Sequence, residues 1–390
     1  MRLNYKPLSN YIEFFDFRAF NHESNLDLDY IKGISSISKD FVKTKANLIG
    51  VVSDNYKVVE RNSFAYNPNT ARMGDKIPIA LNQTEKPILV SSIYPTFKIK
   101  NNNELLPEFL LMWFKRPEFD RYARFMSHGS AREVFDIEEM NGTMIPIPRI
   151  DKQREIVKEY KNIQNRIALN QKHIEKLEET ANAIFSSYLN NEVYKETHRL
   201  GDLMEIKGGF SYNSEDLGKG NTYLLGMGCV SFTDRFVEDG MRLYSDKVPD
   251  QHLVKPKDII IATRQQSENM PILGCPAMIP PSLNRKKMVI ASNLYRVVNK
   301  SKLSNEILFQ ILKSQKYQEH IKLHTKGTTV GMITKDAIED YIFYAPSVDF
   351  LYSVQNKIDT LIHNVFLKRT ENQKLTKLND LLLSKLATVE

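Results

Sequence analysis

Two stretches of the chain carry apolar residues at the spacing of long amphipathic helices. Residues 151–190 contain neither Gly nor Pro, and their apolar positions recur at alternating intervals of four and three residues. Residues 348–390 follow a less regular version of the same pattern. Such spacing predicts one helix in each stretch, with an apolar stripe along one face, as in coiled coils. The stripe positions are Ile156, Tyr160, Ile163, Ile167, Ile174, Leu177, Ala181, Ile184 and Tyr188 in the first stretch, and Ile358, Leu361, Val365, Leu375, Leu382 and Leu386 in the second.

An asparagine interrupts each apolar stripe near its middle. Asn170 and Asn372 stand at equivalent positions of the two stripes. If the helices pack antiparallel about a pseudo-twofold axis, these two residues face each other, and a polar residue in such an interface needs a partner for its amide. We therefore expect Asn170 and Asn372 to lie within side-chain contact. The alternative is that both face solvent on helices that do not pair.

The pattern of strand-like, helical and turn segments before each long helix occurs twice in the same order. Each copy starts with a strand-like segment, continues through β-rich stretches to an amphipathic helix and a glycine turn, and reaches a proline before the long helix. The bland alternative, convergent helix composition, accounts for the long helices but not for the ordered series before them. The matched segments are 8–13 with 200–205, 59–65 with 254–260, 90–94 with 291–295, 107–120 with 304–318 and 128–130 with 326–329.

Length and composition narrow the class of protein. A chain of 390 residues with 42% hydrophobic content can form more than one core. Cys229 and Cys275 have no partners at disulfide or zinc spacing, and no stretch has the apolar length of a signal peptide or membrane span, so we expect a soluble protein of the cytoplasm. The formal charge of +7 is compatible with a polyanionic partner and equally with an ordinary basic surface.

Several short motifs of this repeat are shared with one known family. They are 145–148 followed by Gln153 and Ile156, the turns Gly129-Ser130 and 327–329, the start of the second copy at 199–206, and the leucine pattern of 375–386. With these motifs the whole chain resembles the specificity (S) subunit of a Type I restriction-modification system. Residues 64–69 followed by Arg72 also resemble a turn of such subunits, although Asn69-Thr70 interrupts the pattern.

The resemblance and the repeat together imply an α+β architecture. We expect two pseudo-symmetric target-recognition domains, each a small mixed β-sheet with helices, joined by a central antiparallel two-helix coiled coil. The expected boundaries are 1–150 for the first domain, 151–197 for the central helix, 198–347 for the second domain and 348–390 for the C-terminal helix, which packs on the central one.

The resemblance also implies a function without catalysis by this chain. Each domain would recognise one half of a bipartite site in double-stranded DNA, while the helix pair sets the spacer and docks two methyltransferase (M) subunits. Restriction (R) subunits would join through the complex. No cofactor is expected in this chain, whereas S-adenosylmethionine is expected in the M partner, and ATP and Mg²⁺ in the R partner.

The residues themselves supply no convincing catalytic constellation. An adenine methyltransferase needs an Asx-Pro-Pro-aromatic loop, and the nearest approaches, 67–70 and 279–282, lack the aromatic residue. His173 and Glu175 imitate the H-x-E of deaminases, but no P-C-x-x-C follows. No phosphate-binding P-loop is present. These absences favour a binding protein over an enzyme.

Polar residues cluster at repeat-equivalent places where loops could reach DNA. Arg and Lys suit phosphates and guanine edges, and Asn and Gln suit adenine edges. Tyr66 has the alternative of capping the core. The candidates are Arg61, Asn62, Tyr66, Asn67, Asn69, Arg72 and Lys76 in one loop region of the first copy, Arg132 beside its glycine turn, Arg264, Gln265, Gln266 and Asn269 after the strand of the second copy, and Lys326, Thr328 and Thr329 at its glycine turn.

Two other functions remain open at this stage. The chain could serve a Type IIB- or IIG-like system whose partner is a fused methyltransferase-nuclease. It could also be a coiled-coil scaffold that bridges proteins and never touches DNA. The scaffold predicts weak DNA association that is insensitive to salt, whereas loops that neutralise phosphates predict a steep salt dependence.

Overall fold

The computed structural model describes residues 5–23, 26–69, 76–128, 133–189, 196–233, 235–265, 272–327, 330–345 and 347–388. The chain divides into two compact units. Unit 1 consists of Met1–Ala168 and Gln373–Glu390, and unit 2 of Leu169–Asn372. Each unit thus contains one globular part together with a segment of both long helices.

The strands and helices of unit 1 follow the order expected from the sequence. Its helices are α1 (Pro107–Phe114), α2 (Pro117–Met126), α3 (Ile137–Gly142) and the first part of α4 (Ile150–Leu189). Its strands are β1 (Tyr5–Pro7), β2 (Ile12–Phe15), β3 (Lys32–Ile34), β4 (Phe41–Lys43), β5 (Lys57–Val59), β6 (Ser63–Tyr66), β7 (Ile79–Leu81), β8 (Ile88–Val90), β9 (Thr96–Ile99) and β10 (Met144–Pro146).

Unit 2 repeats this order with additional strands. Its helices are the remainder of α4, α5 (Leu200–Leu203), α6 (Asn305–Lys313), α7 (Gln315–Leu323), α8 (Lys335–Glu339) and the first part of α9 (Val348–Lys385). Its strands are β11 (Glu196–Arg199), β12 (Met204–Gly208), β13 (Leu217–Leu225), β14 (Val230–Ser231), β15 (Arg235–Phe236), β16 (Arg242–Tyr244), β17 (Leu253–Val254), β18 (Ile259–Ala262), β19 (Arg264–Gln265), β20 (Pro276–Met278), β21 (Met288–Ile290), β22 (Leu294–Asn299), β23 (Gly331–Met332) and β24 (Ile342–Ala345).

One four-stranded antiparallel sheet is common to both units. Its strand order is β2-β9-β6-β7 in unit 1 and β12-β22-β18-β20 in unit 2. In each unit the strand before the long helix pairs with the first strand, β10 with β1 and β24 with β11. The repeat recognised in the sequence is therefore a repeat of topology.

Among the strands that the structure describes, those of unit 2 form the expected mixed sheet. A second sheet there, β16-β13-β21-β17, contains the parallel pair β13–β21 beside antiparallel pairs. The ladders between described strands of unit 1 are antiparallel, with one isolated parallel bridge from Ile31 to Leu89. The expectation was wrong for unit 1 because short apolar strands do not encode the direction of their neighbours.

Each helix predicted before a glycine turn is in fact two helices. In unit 1, Pro117 starts α2, where its missing N–H costs nothing, and the residue before a proline avoids helical geometry. In unit 2, Ser314 separates α6 from α7, and its side chain accepts a hydrogen bond from the Tyr317 backbone N–H. The central helix also ends earlier than predicted, since Glu196–Arg199 is the strand β11.

The apolar stripes of α4 and α9 are buried in the units that contain them. In unit 1, Ile156 of α4 shares a core with Leu383 of α9 and with Leu386, which directly follows α9. In unit 2, Ala181 of α4 shares a core with Ile358 of α9. All predicted stripe positions whose side chains are described are buried or half-buried, while the side chain of Tyr188 lies outside the described part.

Candidate nucleic-acid interface

In unit 1 the loop after the central strand β6 meets the glycine turn. Asn69 and His128 both form antiparallel bridges with Val134. The His128 N–H donates to the Val134 carbonyl at 3.1 Å, and the Val134 N–H donates back at 2.9 Å. The Phe135 N–H donates to the carbonyl of Pro68, also at 2.9 Å. Two segments that are distant in sequence thus form one surface.

Unit 2 builds the same junction from different residues. Arg264 pairs with Met332 in the β19–β23 ladder, and Lys326 bridges to Met332 from the other side. The Ile333 N–H donates to the Thr263 carbonyl at 3.1 Å, the counterpart of the bond from Phe135. Arg264 and Lys326 are exposed, so two cationic side chains flank the half-exposed Met332. This arrangement suits a polyanionic partner.

A glycine is required at the turn of unit 2 because of its backbone geometry. Gly327 has φ +100°, in the left-handed region, and a Cβ there would overlap the Val330 carbonyl oxygen. Only a residue without a side chain allows the backbone to turn here and return to Met332. Its counterpart, Gly129, lies outside the described residues.

A buried ion pair holds the far end of the unit 1 loop. The Lys39 ammonium binds Asp120 Oδ1 at 2.5 Å and the Ile77 carbonyl at 2.8 Å, while Asp120 Oδ1 also accepts from the Ile77 N–H at 3.1 Å. Burial lowers the pKa of Lys39, and the nearby Asp120 carboxylate opposes that shift. The backbone N–H and carbonyl of Ile77 are therefore both held by this ion pair. Lys39 is 2% exposed and Asp120 is 8% exposed.

Five of the predicted DNA contacts are exposed in the described structure. They are Arg61, Asn62, Lys76, Arg264 and Lys326. Asn67 and Asn69 are half-buried, and the Asn67 side chain accepts from the Asn69 N–H at 3.1 Å, which shapes the loop. The candidates Arg72, Arg132, Gln266, Asn269, Thr328 and Thr329 lie outside the described residues.

Tyr66 and Gln265 were predicted incorrectly as DNA contacts. Tyr66 is fully buried, its ring lies near Phe97 and Phe135, and burial raises its pKa. Gln265 is 8% exposed, and its Oε1 accepts hydrogen bonds from the backbone of Ile272 and Leu273 at 2.7 and 3.1 Å. The first residue belongs to the core and the second supports a loop, so neither has a surface for a base.

The first-copy candidates were also predicted to share one loop region, and this was wrong. Strand β6 separates Arg61 and Asn62 from Asn67 and Asn69 by about 13 Å, at roughly 3.3 Å per residue. Asn62 occupies a turn with φ 63°, and Arg61 forms an ion pair with Glu85. Of the described first-copy candidates, Asn69 reaches the junction with the glycine turn, and Asn67 is hydrogen-bonded to Asn69.

Two exposed apolar residues beside the junctions were missed by the sequence reasoning. Phe125 in the last turn of α2 is 82% exposed, and Leu323 at the end of α7 is 83% exposed. Each stands three residues before a junction residue, His128 or Lys326. The repeat itself could have identified them, because large apolar residues at equivalent places near a glycine turn are unusual for a solvated helix end.

Metal and membrane chemistry find no support in the parts of the chain described above. Within these parts, no group of three or more His, Cys, Asp or Glu residues is placed to hold a metal ion. Likewise, none of the helices described has both the length and the apolar character of a membrane span.

Comparison with known proteins identifies the family. Residues 54–179 and 192–381 match the family model described as "Type I restriction modification DNA specificity domain". A search of curated proteins gives no match. The chain belongs to the family of Type I restriction-modification DNA specificity subunits, and recognition of a DNA sequence is the function of this family.

The chain is similar to several solved structures at low sequence identity. The S subunit of a Type I restriction-modification system from M. genitalium is 13% identical, with 99% of this chain and 98% of that chain covered and a TM-score of 0.62. The HsdS subunit from Thermoanaerobacter tengcongensis is 17% identical, with 98% and 96% covered and a TM-score of 0.38. A chain from a structure on complex assembly and conformational transition of the type I R-M system is 18% identical, with 98% and 97% covered and a TM-score of 0.45. The first of these similarities supports the fold.

Proposed function

We propose that this chain is a non-catalytic subunit that reads a bipartite DNA site, one half-site with each unit. The observation that carries the proposal is the junction of loop and glycine turn, which has the same backbone pairing in both units but different side chains. A shared geometry with different residues is what two different half-sites require. Arg264 and Lys326 would contact DNA from unit 2, and Asn69 and Lys76 from unit 1.

We further propose that α4 and α9 form an antiparallel coiled coil that determines the spacer between the half-sites. Three contacts between these helices support it. In unit 1, Gln164 Nε2 donates to Asn379 Oδ1 at 3.0 Å. In unit 2, Asn170 Nδ2 donates to Asn372 Oδ1 at 2.9 Å, and Arg369 Nη2 donates to Glu178 Oε1 at 3.1 Å. Along α4 the residue numbers in these contacts rise while those of their partners in α9 fall, as in an antiparallel pair. Asn170 contacts Asn372, as expected from the sequence.

The proposed protein partners are two methyltransferase (M) subunits and, through the complex, restriction (R) subunits. Leu378 and Leu381 of α9 are 51% and 58% exposed in unit 1, and Asn162 and Ile163 of α4 line the same groove. Apolar side chains beside a polar rim are typical of a protein interface. We assign S-adenosylmethionine to the M subunits, and ATP and Mg²⁺ to the R subunits, with no cofactor in this chain.

The test is a long-read methylome of cells that express this chain with its methyltransferase subunit. We expect a bipartite motif with modified adenine on both strands, absent when this chain is omitted. The double substitution Arg264→Ala with Lys326→Ala should weaken or relax one half of the motif and leave the other half unchanged. The matched control is Lys302→Ala, which should leave the motif unchanged. Lys302 is exposed and follows the C-terminal end of strand β22.

Salt dependence separates this function from that of a protein scaffold. Removing one cationic side chain that binds a phosphate should reduce the slope of log binding constant against log salt by about 1. The Arg264 and Lys326 double variant should therefore show a slope smaller by roughly 1 to 2 in fluorescence anisotropy with the motif duplex. Weak binding of the unmodified complex with no salt dependence would contradict DNA recognition by these junctions.

A further inference from the structure

Near its start, each long helix carries a glutamine whose side chain contacts the globular part of the unit that contains this glutamine. Gln153 of α4 and Gln355 of α9 stand at the same place in the two helices, three residues before Ile156 and Ile358. Gln153 is fully buried, and Gln355 is half-buried. A buried amide must satisfy its oxygen and its NH₂ group, so its neighbours decide its role.

In unit 1 the Gln153 side chain is held by three backbone groups. Its Oε1 accepts from the Leu106 N–H at 2.9 Å, and its Nε2 donates to the carbonyls of Glu104 and Pro148 at 2.8 and 2.9 Å. Leu106 is the N-cap of α1 and has no side-chain cap bond of its own. The glutamine therefore joins the start of α4 to the start of α1.

In unit 2 the equivalent glutamine makes the equivalent contact. Gln355 Oε1 accepts from the Ser304 N–H at 2.7 Å, and Ser304 is the N-cap of α6. The Ser304 hydroxyl also donates to Asp359 Oδ1 of α9 at 2.7 Å. Both long helices thus hold the N-cap of the helix that follows the four-stranded sheet.

The N-cap of α1 is connected to the candidate DNA surface of unit 1 through packed side chains. In unit 1, Phe114 of α1 lies edge-on to Phe64 of β6, with ring centroids 5.9 Å apart. The next helix, α2, carries Asp120, which binds the backbone of Ile77 at the end of the DNA-facing loop. A rotation or slide at the start of α1 would therefore move the loop.

We propose that Gln153 and Gln355 are positioning residues that fix each DNA-reading surface on its segment of the helix pair, and so define the spacing between half-sites that the subunit accepts. Apolar packing alone has little directional preference, whereas a hydrogen bond requires a narrow range of distance and angle. A shift of α1 against α4, or of α6 against α9, would remove the hydrogen bond that the half-buried peptide N–H of Leu106 or Ser304 makes with its glutamine. The inference rests on the proposed bipartite function.

The test measures spacing tolerance in the complete complex with its methyltransferase subunits. Duplexes carry the two half-sites with the native spacer, or with one base pair added or removed. The variants are Gln153→Leu and Gln355→Leu, which keep the side-chain volume and remove the hydrogen bonds. The controls are Gln83→Leu in unit 1 and Gln315→Leu in unit 2, both exposed glutamines. The readout is the methylation rate at an altered spacer divided by the rate at the native spacer.

We expect this ratio to rise about tenfold in the Gln153 and Gln355 variants, because that factor corresponds to the free energy of about one hydrogen bond. The ratio should stay unchanged in the controls. Because both rates come from one preparation, any loss of folded protein cancels. An unchanged ratio with a lower rate at the native spacer would overturn the proposal, because both glutamines would then only stabilise their units. If the unsubstituted complex showed no spacing preference, the proposed bipartite function itself would fail, and this is seen without any variant.

Discussion

The cores of the two units fill the same architecture with different kinds of side chain. Around the four-stranded sheet, unit 1 is aromatic, and Phe64 stacks on Phe97 with centroids 4.8 Å apart and planes 3° apart. At the paired positions of the unit 2 ladder stand Ile259 and Val297. Both sets are buried, at 4% exposure or less. The strand order is nonetheless the same.

This difference shows that the repeat preserves position and burial rather than chemical identity. A flat ring and a branched aliphatic chain both remove apolar area from water, and the sheet accepts either when neighbouring residues change with it. Phe119 in unit 1 and Tyr317 in unit 2 keep the same position and burial on the helices α2 and α7, although one ring carries a hydroxyl group and the other does not. At the surface junctions only the position is kept, because half-buried Asn69 stands in one unit where exposed Arg264 stands in the other.

The largest expected effect comes from emptying the two cores at the same position. Phe64→Ala should lower the free energy of unfolding of unit 1 by about 3–5 kcal/mol, and Ile259→Ala that of unit 2 by about 2–5 kcal/mol. Hydrogen exchange in increasing urea, followed by mass spectrometry, reports each unit separately. Equal loss of protection in both units after either substitution would show that they unfold as one, and the comparison of two cores would fail.

An intermediate effect is expected at the polar contacts between the long helices. Asn170 is fully buried, whereas Gln164 in unit 1 is half-buried. Asn170→Ala removes the hydrogen bond that Asn170 donates to the Asn372 oxygen and should cost unit 2 about 1–3 kcal/mol, while Gln164→Ala should cost unit 1 about 0.5–1.5 kcal/mol. A double-mutant cycle with Asn372→Ala measures the coupling directly. Additive effects of the two asparagine substitutions would exclude an energetic role for the pair.

The smallest effect is expected at a surface ion pair of unit 1. A hydrogen bond from Arg18 to Asp16, at 2.7 Å, lowers the pKa of Asp16 against a partial opposing effect of burial. The folded state therefore favours the carboxylate, so the stabilisation is present above pH 3.8 and is lost as the pH falls through the lowered pKa.

Asp16 is half exposed, so solvent screening limits the contribution to about 0–1 kcal/mol. Asp16→Asn should reduce the protection of unit 1 slightly at neutral pH, and the difference from the unsubstituted chain should shrink in acid. Asp340→Asn in unit 2 is the control, and protection of unit 1 should be unchanged by it. If the difference in protection between Asp16→Asn and the unsubstituted chain grew as the pH fell, the pKa of Asp16 would be raised rather than lowered by folding.

The sequence alone was sufficient to predict the repeat, the two long helices and the pairing of Asn170 with Asn372. These features depend on periodicity, which remains readable over forty residues because burial repeats with the turn of the helix. The boundaries of the shorter elements depend instead on single residues such as Pro117 and Ser314. Each of these divides a helix without changing the apolar period around it, so the period predicted one helix where two are present.

What only the tertiary structure decided was which polar residues face solvent and which segments meet. Tyr66 and Gln265 have the side chains of DNA contacts, yet one lies in the core and the other binds backbone groups seven and eight residues away. The junction brings Arg264 and Lys326, which are distant in sequence, together through Met332. Periodicity records the burial of a regular element, but neither burial in loops nor contact between distant segments is periodic, so both emerge only when the chain has folded.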